Sequence, residues 1–474
     1  MQTRVSGIPG RHSIATRGGK ARAGRLGLPG AQSLWACLWV SFFLFLLALV
    51  PHAFAFTSGQ AASLVIGEPD FTAFSPGATS AGMVAPSAVA FDSGGNLWVA
   101  DAGANRILEY GAPLTTHEAA TLVIGQPDFR SLASETTSTG LNTPNAVTFD
   151  SGRNLWVVDS SNNRVVEYSA PFSTGEAASL VIGQSDFTSS AYSTTTPTSL
   201  NSPNGIAFDP AGNLWVADLL NGRVLEYKAP FSTGEPASLV IGEPNFTATN
   251  DEVSRTGLNA PNSLAFDSVG NLWVVDGHRV LEYASPFSTG EPASLVIGQN
   301  TFTNSSTATT PTGLDLPSGL AFDSGHNLWV SDTGNNRVLE YKTPFSTGQA
   351  AGLVMGQSNF TGNGSSPLFS PTSTGLNQPK GLTFDSGGSL WVADSAQGRV
   401  MRYGGAAAAV STTAATTAKT SASPTSTQSS SSSATGGGGI PEFPAQLGFS
   451  LIVTVVVTAS YVVARRGLRA GTHR

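Results

Sequence analysis

Short apolar runs, separated by clusters of Gly, Asn, Asp and Pro, recur along the chain at a nearly fixed spacing. The clearest run is FDSGGNLWVADAGANRILEY, which extends from Phe91 to Tyr110. Recognisable copies, 56 to 62 residues apart, begin at Phe149, Phe208, Phe266, Phe322 and Phe384. Short runs rich in β-branched and aromatic residues and bounded by turn-forming residues are typical of strands. A period of this size predicts an array of units, none of which buries its apolar faces alone.

Each unit is predicted to contain four strands, called a to d in chain order. In the first unit they are residues 88–91, 96–100, 106–110 and 121–124. The DSGGN segment between strands a and b supplies residues that tolerate positive φ in a hairpin turn. A second string, LVIG or LVMG, marks strand d and also occurs six times, beginning at Leu64, Leu122, Leu180, Leu239, Leu295 and Leu353. The two markers together indicate six units.

Strand b is apolar on both faces, which is typical of a sheet sandwiched between two neighbours. Every copy of it contains one tryptophan, and these are Trp98, Trp156, Trp215, Trp273, Trp329 and Trp391. We interpret these side chains as core wedges between adjacent sheets rather than as a ladder that stacks on a ligand.

The repeat resembles that of NHL-repeat β-propellers. Its third copy, PNGIAFDPAGNLWVADLLNGRVLEY at 203–227, matches the family pattern of P-x-G, an apolar run, Asp, Gly-Asn, an aromatic residue, V-A-D and N-R. The resemblance covers roughly residues 60 to 405 and implies an all-β, six-bladed propeller of four-stranded antiparallel blades. The chain begins with a lone d-type strand at Leu64 and leaves the repeats after a c-type strand at Tyr403. The N-terminal strand is therefore predicted to complete the last blade, which removes free sheet edges.

The chain divides into four predicted segments. Residues 1–55 form a leader in which six Lys or Arg precede an apolar run at 34–50 and a small-x-small site at 53–55, the order of a secretory signal peptide. An uncleaved membrane anchor is the alternative. The propeller follows at 56–405. Since the single cysteine, Cys37, lies in the leader, disulfides and thiol chemistry are not expected in the mature domain.

The C-terminal segments predict attachment to a membrane. Residues 406–439, rich in Ser, Thr, Ala and Gly, predict a disordered stalk. Residues 440–474 contain a PEFP motif, an apolar run at 447–464 long enough to span a bilayer, and a basic end that places the C-terminus in the cytoplasm. This tail resembles PEF-type sorting signals of archaeal surface proteins, which implies processing by an archaeosortase; a retained helix is the alternative. Either way, the propeller is expected on the extracellular face of the membrane.

Charge argues against nucleic acid as a partner. Residues 56–405 hold 30 Asp or Glu against 13 Lys or Arg, so the field of the domain repels phosphate. Each repeat ends strand b with an aspartate and starts strand c with an arginine, which predicts a hydrogen-bonded pair across the b-to-c turn. The arginines are Arg106, Arg164, Arg223, Arg279, Arg337 and Arg399. The alternative is a ring of ligand-binding carboxylates formed by Asp101, Asp159, Asp218, Asp276, Asp332 and Asp394.

Sequence variation is concentrated in the links from strand d to the next strand a. These links and the b-to-c turns emerge on one face of a propeller, whereas the nearly constant c-to-d links emerge on the other. Function is therefore expected on the variable face. His278, in the shortened b-to-c turn of the fourth copy, is a further candidate ligand residue there. Four N-x-S/T sequons on the same links make candidate glycosylation sites of Asn245, Asn304, Asn359 and Asn363.

No motif assigns a catalytic, cofactor-binding or metal-binding residue, since G-x-S-x-G, H-E-x-x-H, an EF-hand loop and a P-loop are all absent from the sequence. The preferred interpretation is a monomeric binding module for a protein, a glycan or an envelope component. The alternative is a metal-dependent lyase or hydrolase with Ca²⁺ or Zn²⁺ in the central channel, resembling peptidyl-hydroxyglycine lyases, paraoxonases or gluconolactonases. A structural envelope protein is the third possibility.

Overall fold

The computed structural model describes residues 56–192 and 194–404, which form six four-stranded antiparallel sheets. The innermost strand of each sheet is one of β2 (Pro86–Phe91), β6 (Pro144–Phe149), β10 (Pro203–Phe208), β14 (Pro261–Phe266), β18 (Gly319–Phe322) and β22 (Pro379–Phe384). The second strand is one of β3 (Leu97–Asp101), β7 (Leu155–Asp159), β11 (Leu214–Asp218), β15 (Leu272–Asp276), β19 (Leu328–Asp332) and β23 (Leu390–Asp394).

The outer half of each sheet is equally regular. The third strand is one of β4 (Arg106–Tyr110), β8 (Arg164–Tyr168), β12 (Arg223–Tyr227), β16 (Arg279–Tyr283), β20 (Arg337–Tyr341) and β24 (Arg399–Tyr403). The outermost is one of β1 (Leu64–Ile66), β5 (Leu122–Ile124), β9 (Leu180–Ile182), β13 (Leu239–Ile241), β17 (Leu295–Ile297) and β21 (Leu353–Met355). The predicted six-bladed, all-β propeller is confirmed.

The propeller closes as predicted, because its first strand completes its last blade. β1 pairs antiparallel with β24, with Leu64 opposite Arg402 and Ile66 opposite Val400. The Ser63 hydroxyl adds hydrogen bonds to the carbonyl oxygens of Arg402 at 3.3 Å and of Gly404 at 2.8 Å. The two ends of the domain are thus joined within one sheet, which leaves no unpaired strand edge between the first and last repeats.

The b-to-c connection is more structured than the tight turn expected. Five of the described connections contain a short 3₁₀ helix, at Ala102–Ala104, Ser160–Asn162, Leu219–Asn221, Thr333–Asn335 and Ser395–Gln397. In the first blade a left-handed residue, Asn105 with φ of 52°, ends the helix and returns the chain to β4. Asn and Gly favour this position because they tolerate positive φ. The connection in the fourth blade is two residues shorter and contains only Gly277 and His278.

The core consists of six apolar layers, each between two adjacent blades. Trp215 of the third blade is fully buried and belongs to a cluster with Leu264 and Leu272 of the fourth. Its ring makes edge contacts with two phenylalanines of the fourth blade, Phe266 and Phe287, at centroid distances of 5.7 and 5.0 Å. The other five repeat tryptophans are also at most 2% exposed. Each blade therefore buries its apolar faces only by packing on its neighbours.

Each repeat tryptophan also forms a side-chain hydrogen bond within its own blade. The indole N–H donates to the carboxylate of the aspartate that opens the a-to-b turn; Trp215 and Asp209, for example, are joined at 3.1 Å. The same bond, at 2.9 to 3.2 Å, occurs in all six blades. A buried indole N–H without a partner would be costly, so this aspartate positions the tryptophan ring.

No helix in residues 56–192 and 194–404 is long and apolar enough to span a membrane. The predicted signal segment at 1–55, the stalk at 406–439 and the tail at 440–474 lie outside the described residues.

Candidate functional site

Six long loops cover one end of the propeller, and we call this end the loop face. Each loop connects the outermost strand of one sheet to the innermost strand of the next. The loops span 67–85, 125–143, 183–202, 242–260, 298–318 and 356–378. The b-to-c connections, and with them His278, emerge on this same end because successive strands alternate in direction.

The Asp–Arg pairs lie directly beneath the loop face. In every blade the two side chains are at most 1% exposed, and their closest N–O distances are 2.7 to 3.0 Å. The other carboxylate oxygen accepts one or two loop N–H groups just before the innermost strand of the same blade; Asp218, for example, accepts that of Asn201 at 2.7 Å. Both carboxylate oxygens are therefore engaged inside the protein.

Each arginine also joins two successive loops. Arg164 donates to the carbonyl oxygen of Phe187 at 2.6 Å and to those of Thr137 and Gly140 at 2.8 and 3.0 Å. Equivalent bonds occur in all six blades. Arg399 continues the pattern across the closure, because it bonds to Phe71 of the first loop and to Thr372 of the last. The six arginines thus hold the six loops as a closed ring.

Burial dominates the electrostatics of the aspartates. It raises the pKa of Asp332 and of Asp394 to about 6, although the paired arginines and the hydrogen bonds oppose this rise. The pKa values of Asp159 and Asp218 are raised for the same reason. With pKa values of about 6, Asp332 and Asp394 are mostly ionised at neutral pH. Each of the six aspartates has its own guanidinium partner, which compensates its negative charge.

His278 has the position that asparagine occupies in three other blades and glycine in two. Its Nδ1 accepts the backbone N–H of Leu316 at 3.0 Å, just as the side-chain oxygen of Asn163 accepts the N–H of Ser202 at 2.7 Å. Burial lowers the pKa of His278, against the opposing effect of Asp315 and Asp276. Nδ1 is 3.4 Å from Asp315 Oδ1. The imidazole is therefore neutral at pH 7 and shapes the short turn of the fourth blade.

The four sequons lie on the loop face as expected. Asn245, Asn359 and Asn363 are exposed, and Asn304 is half-buried. The side-chain oxygen of Asn245 accepts the N–H of Thr247 at 3.0 Å, which fixes the sequon in a compact turn.

The loop face also carries most of the large exposed apolar side chains among the described residues. Five large apolar side chains are at least half exposed among the described residues, and four of these lie on the six loops: Leu132, Tyr192, Leu316 and Phe369. The fifth, Val269, is in an a-to-b turn at the opposite end. Phe369 is 87% exposed, and its ring makes an edge contact with Phe74 of the first loop.

The innermost strands surround the propeller axis, and in each blade the residue after the proline at the loop-face end of this strand belongs to what we call the axial ring. In five blades it is the second residue of the strand, and in the remaining blade it directly precedes β18. The members of the axial ring are Ser87, Asn145, Asn204, Asn262, Ser318 and Lys380. Neighbouring blades touch here, since the Asn204 amide donates to Asn262 and the Ser87 hydroxyl donates to the carbonyl oxygen of Pro144 at 2.9 Å. Lys380 was not identified from the sequence. Aligning the six repeats at the proline that precedes each ring position would have shown that Lys380 is the charged member.

No group of three or more His, Cys, Asp or Glu in the described part of the chain is arranged to hold a metal ion. The six aspartates lie in separate blades, each paired with its own arginine, and the structure does not bring them together.

A family model of the NHL repeat matches residues 314–341, which extend from the fifth long loop to the end of β20. Among solved structures, the chain is similar to a streptogramin B lyase at 13% identity and a TM-score of 0.41, over 70% of this chain and 95% of that one. It is similar to virginiamycin B lyase from Staphylococcus aureus at 15% identity and a TM-score of 0.38, over 67% and 94%. A gluconolactonase from Xanthomonas campestris matches at 15% identity and a TM-score of 0.39, over 70% and 88%. No curated protein matches the chain.

Proposed function

We propose that the chain is a recognition module that binds a protein or glycan through its loop face. The observation that carries this proposal is the distribution of exposed apolar side chains. Leu132, Tyr192, Leu316 and Phe369 are 50 to 87% exposed and belong to four different loops on the same end. Exposed apolar side chains that collect on one end of a domain are typical of interaction sites.

The arginine hydrogen bonds beneath the loops support the same proposal. Because each arginine bonds to backbone carbonyl groups, it holds the loops whatever their side chains are. The loops can therefore differ in sequence while their backbones stay in place, and a preorganised surface loses less entropy on binding. The loop at 183–202 combines Tyr192 with many Ser and Thr residues, a mixture typical of recognition surfaces.

The proposed setting is the outside of the cell. The leader at 1–55 would export the propeller, and the stalk and tail at 406–474 would hold it at the membrane. The loop face would then be presented to surface proteins, glycans or other envelope components. Glycans on Asn245, Asn359 and Asn363 would border the binding surface, and the domain would act as a monomer.

The test compares substitutions at the two ends of the propeller. Leu132, Tyr192 and Phe369 are changed together to Ser, and Val269→Ser is the matched control at the opposite end. Binding of the purified chain is measured on a glycan array and on immobilised envelope from the source cells. We expect the triple variant to bind at least tenfold more weakly and the control to bind like wild type. Equal binding by the triple variant, or an equal loss in V269S, would refute the proposal.

A further inference from the structure

Lys380 breaks the symmetry of the axial ring. The other five members are neutral Asn or Ser residues, whereas Lys380 carries a primary amine at the equivalent position of β22. Its side chain is half-buried, and no described residue forms a hydrogen bond or an ion pair with the amino group. This distinguishes it from the six buried arginines, each of which has its own aspartate.

Close contacts between blades fix the backbone around Lys380. A Cβ atom on Gly319 of the fifth blade would be 2.5 Å from the carbonyl oxygen of Lys380. A Cβ atom on Gly381 would be 2.6 Å from the Cα of Ala88 in the first blade. Since side chains are sterically excluded at both places, β22 is held firmly between its neighbours. Lys380 therefore has a defined position in the wall of the axial channel.

The surroundings of Lys380 do not balance its charge. Desolvation lowers its pKa, and no carboxylate opposes this effect. A partly buried cation without a counter-ion is unfavourable unless something else pairs with it. The neutral Asn side chains of the ring offer hydrogen bonds but no charge, and the two Ser hydroxyls already bond within the protein.

We propose that the axial ring is an anion site in which Lys380 binds a single carboxylate group of a ligand. An ammonium group provides three N–H donors, and the Asn amides of the ring can bond to the atoms that flank a carboxylate. A lone cation suits a ligand with one negative charge. Polyanions are disfavoured because residues 56–405 hold 30 acidic against 13 basic side chains.

The site lies at the loop-face end of the innermost strands. Lys380 is the second residue of β22, which begins directly after the loop at 356–378. The inference goes beyond the proposed recognition surface, because it requires none of the apolar loop residues. Two kinds of ligand could supply such a carboxylate: a sugar acid and the C-terminal end of a peptide.

Calorimetric titrations of the purified chain at pH 7 with galacturonate, N-acetylalanine and inorganic phosphate test the site. We expect at least one carboxylate to bind, K380M to weaken that binding at least tenfold, and K380R to retain it within about threefold. K342M is the matched control, because Lys342 is an exposed lysine on the fifth blade. Binding of galacturonate alone would identify a sugar acid, binding of N-acetylalanine alone would identify a peptide end, and binding of both would support the carboxylate class.

A second measurement uses the wild-type chain and does not depend on the folding of any variant. The propeller holds three lysines, Lys228, Lys342 and Lys380, so amine acetylation can be followed at each one by mass spectrometry. The bound carboxylate should slow acetylation at Lys380 alone. The proposal is overturned if neither carboxylate binds, if phosphate binds at least tenfold more tightly than both, if K380M binds like wild type, or if Lys380 is not protected.

Discussion

Replacing Arg223 with Met should destabilise the propeller by about 3–5 kcal/mol, because it leaves a buried carboxylate without its cation. Arg223 and Asp218 are both completely buried, and Arg223 Nε is 2.8 Å from Asp218 Oδ2. In the variant, Asp218 would keep the hydrogen bonds from Asn201 at 2.7 Å and Asn221 at 2.9 Å, but no positive charge would face it. Methionine has a similar length and fills most of the space, so a cavity contributes little.

The lost hydrogen bonds should have a local effect as well. Arg223 donates to the carbonyl oxygens of Thr196 and Ser199 in one loop, at 2.9 and 2.8 Å, and to that of Phe246 in the next. Without these donors, the loops at 183–202 and 242–260 should open more often. We expect faster proteolysis within these two loops than within the other four.

Equilibrium unfolding in urea, followed by tryptophan fluorescence, measures the loss of stability. Lys228→Met is the control, since it removes an exposed cation from the same blade and should change the free energy of unfolding by less than about 0.5 kcal/mol. The D218N/R223M double variant should recover part of the loss, because a neutral side chain then replaces the unpaired charge. A loss below about 1 kcal/mol in R223M, or an equal loss in K228M, would refute the argument.

Three further predictions concern the core, the axis and pH. Trp215→Ala should lower the free energy of unfolding by about 3–5 kcal/mol, and an unchanged melting temperature would contradict its role between blades. Gly319→Ala should lower the free energy of unfolding by about 1–3 kcal/mol, because its Cβ would be 2.5 Å from a backbone oxygen. Gly364→Ala is the control and should be nearly neutral, because a Cβ there would meet open space. Similar melting temperatures for the two variants would contradict the close packing of the innermost strands. Asp332 and Asp394 have pKa values raised to about 6, so the folded state binds more protons than the unfolded state between about pH 4 and 6. Their contribution to stability therefore grows as pH falls through this window, and the melting temperature should be at least as high at pH 5 as at pH 7.5; a steady fall over that interval would contradict the raised values.

The sequence by itself determined the repeat architecture. Six copies of two markers established the number of blades, and the apolar strand b with its tryptophan predicted a sheet covered on both sides. The lone strand at Leu64 predicted the closure, which the pairing of β1 with β24 confirms. These features are readable because they are local and periodic: each copy repeats the pattern of strands and turns, and the packing between blades then follows from symmetry.

The tertiary structure decided what occupies the loop face and the axis. Arg164 joins two loops through carbonyl groups about 24 residues away on either side, and the sequence predicted only its pairing with Asp159. The shared exposure of Tyr192 and Phe369 on one end depends on how separate loops pack. Lys380 joins a ring of residues from six blades, spaced 56 to 62 positions apart in the sequence. Side chains so distant in sequence come together only when the blades close, because the innermost strands meet only around the completed axis.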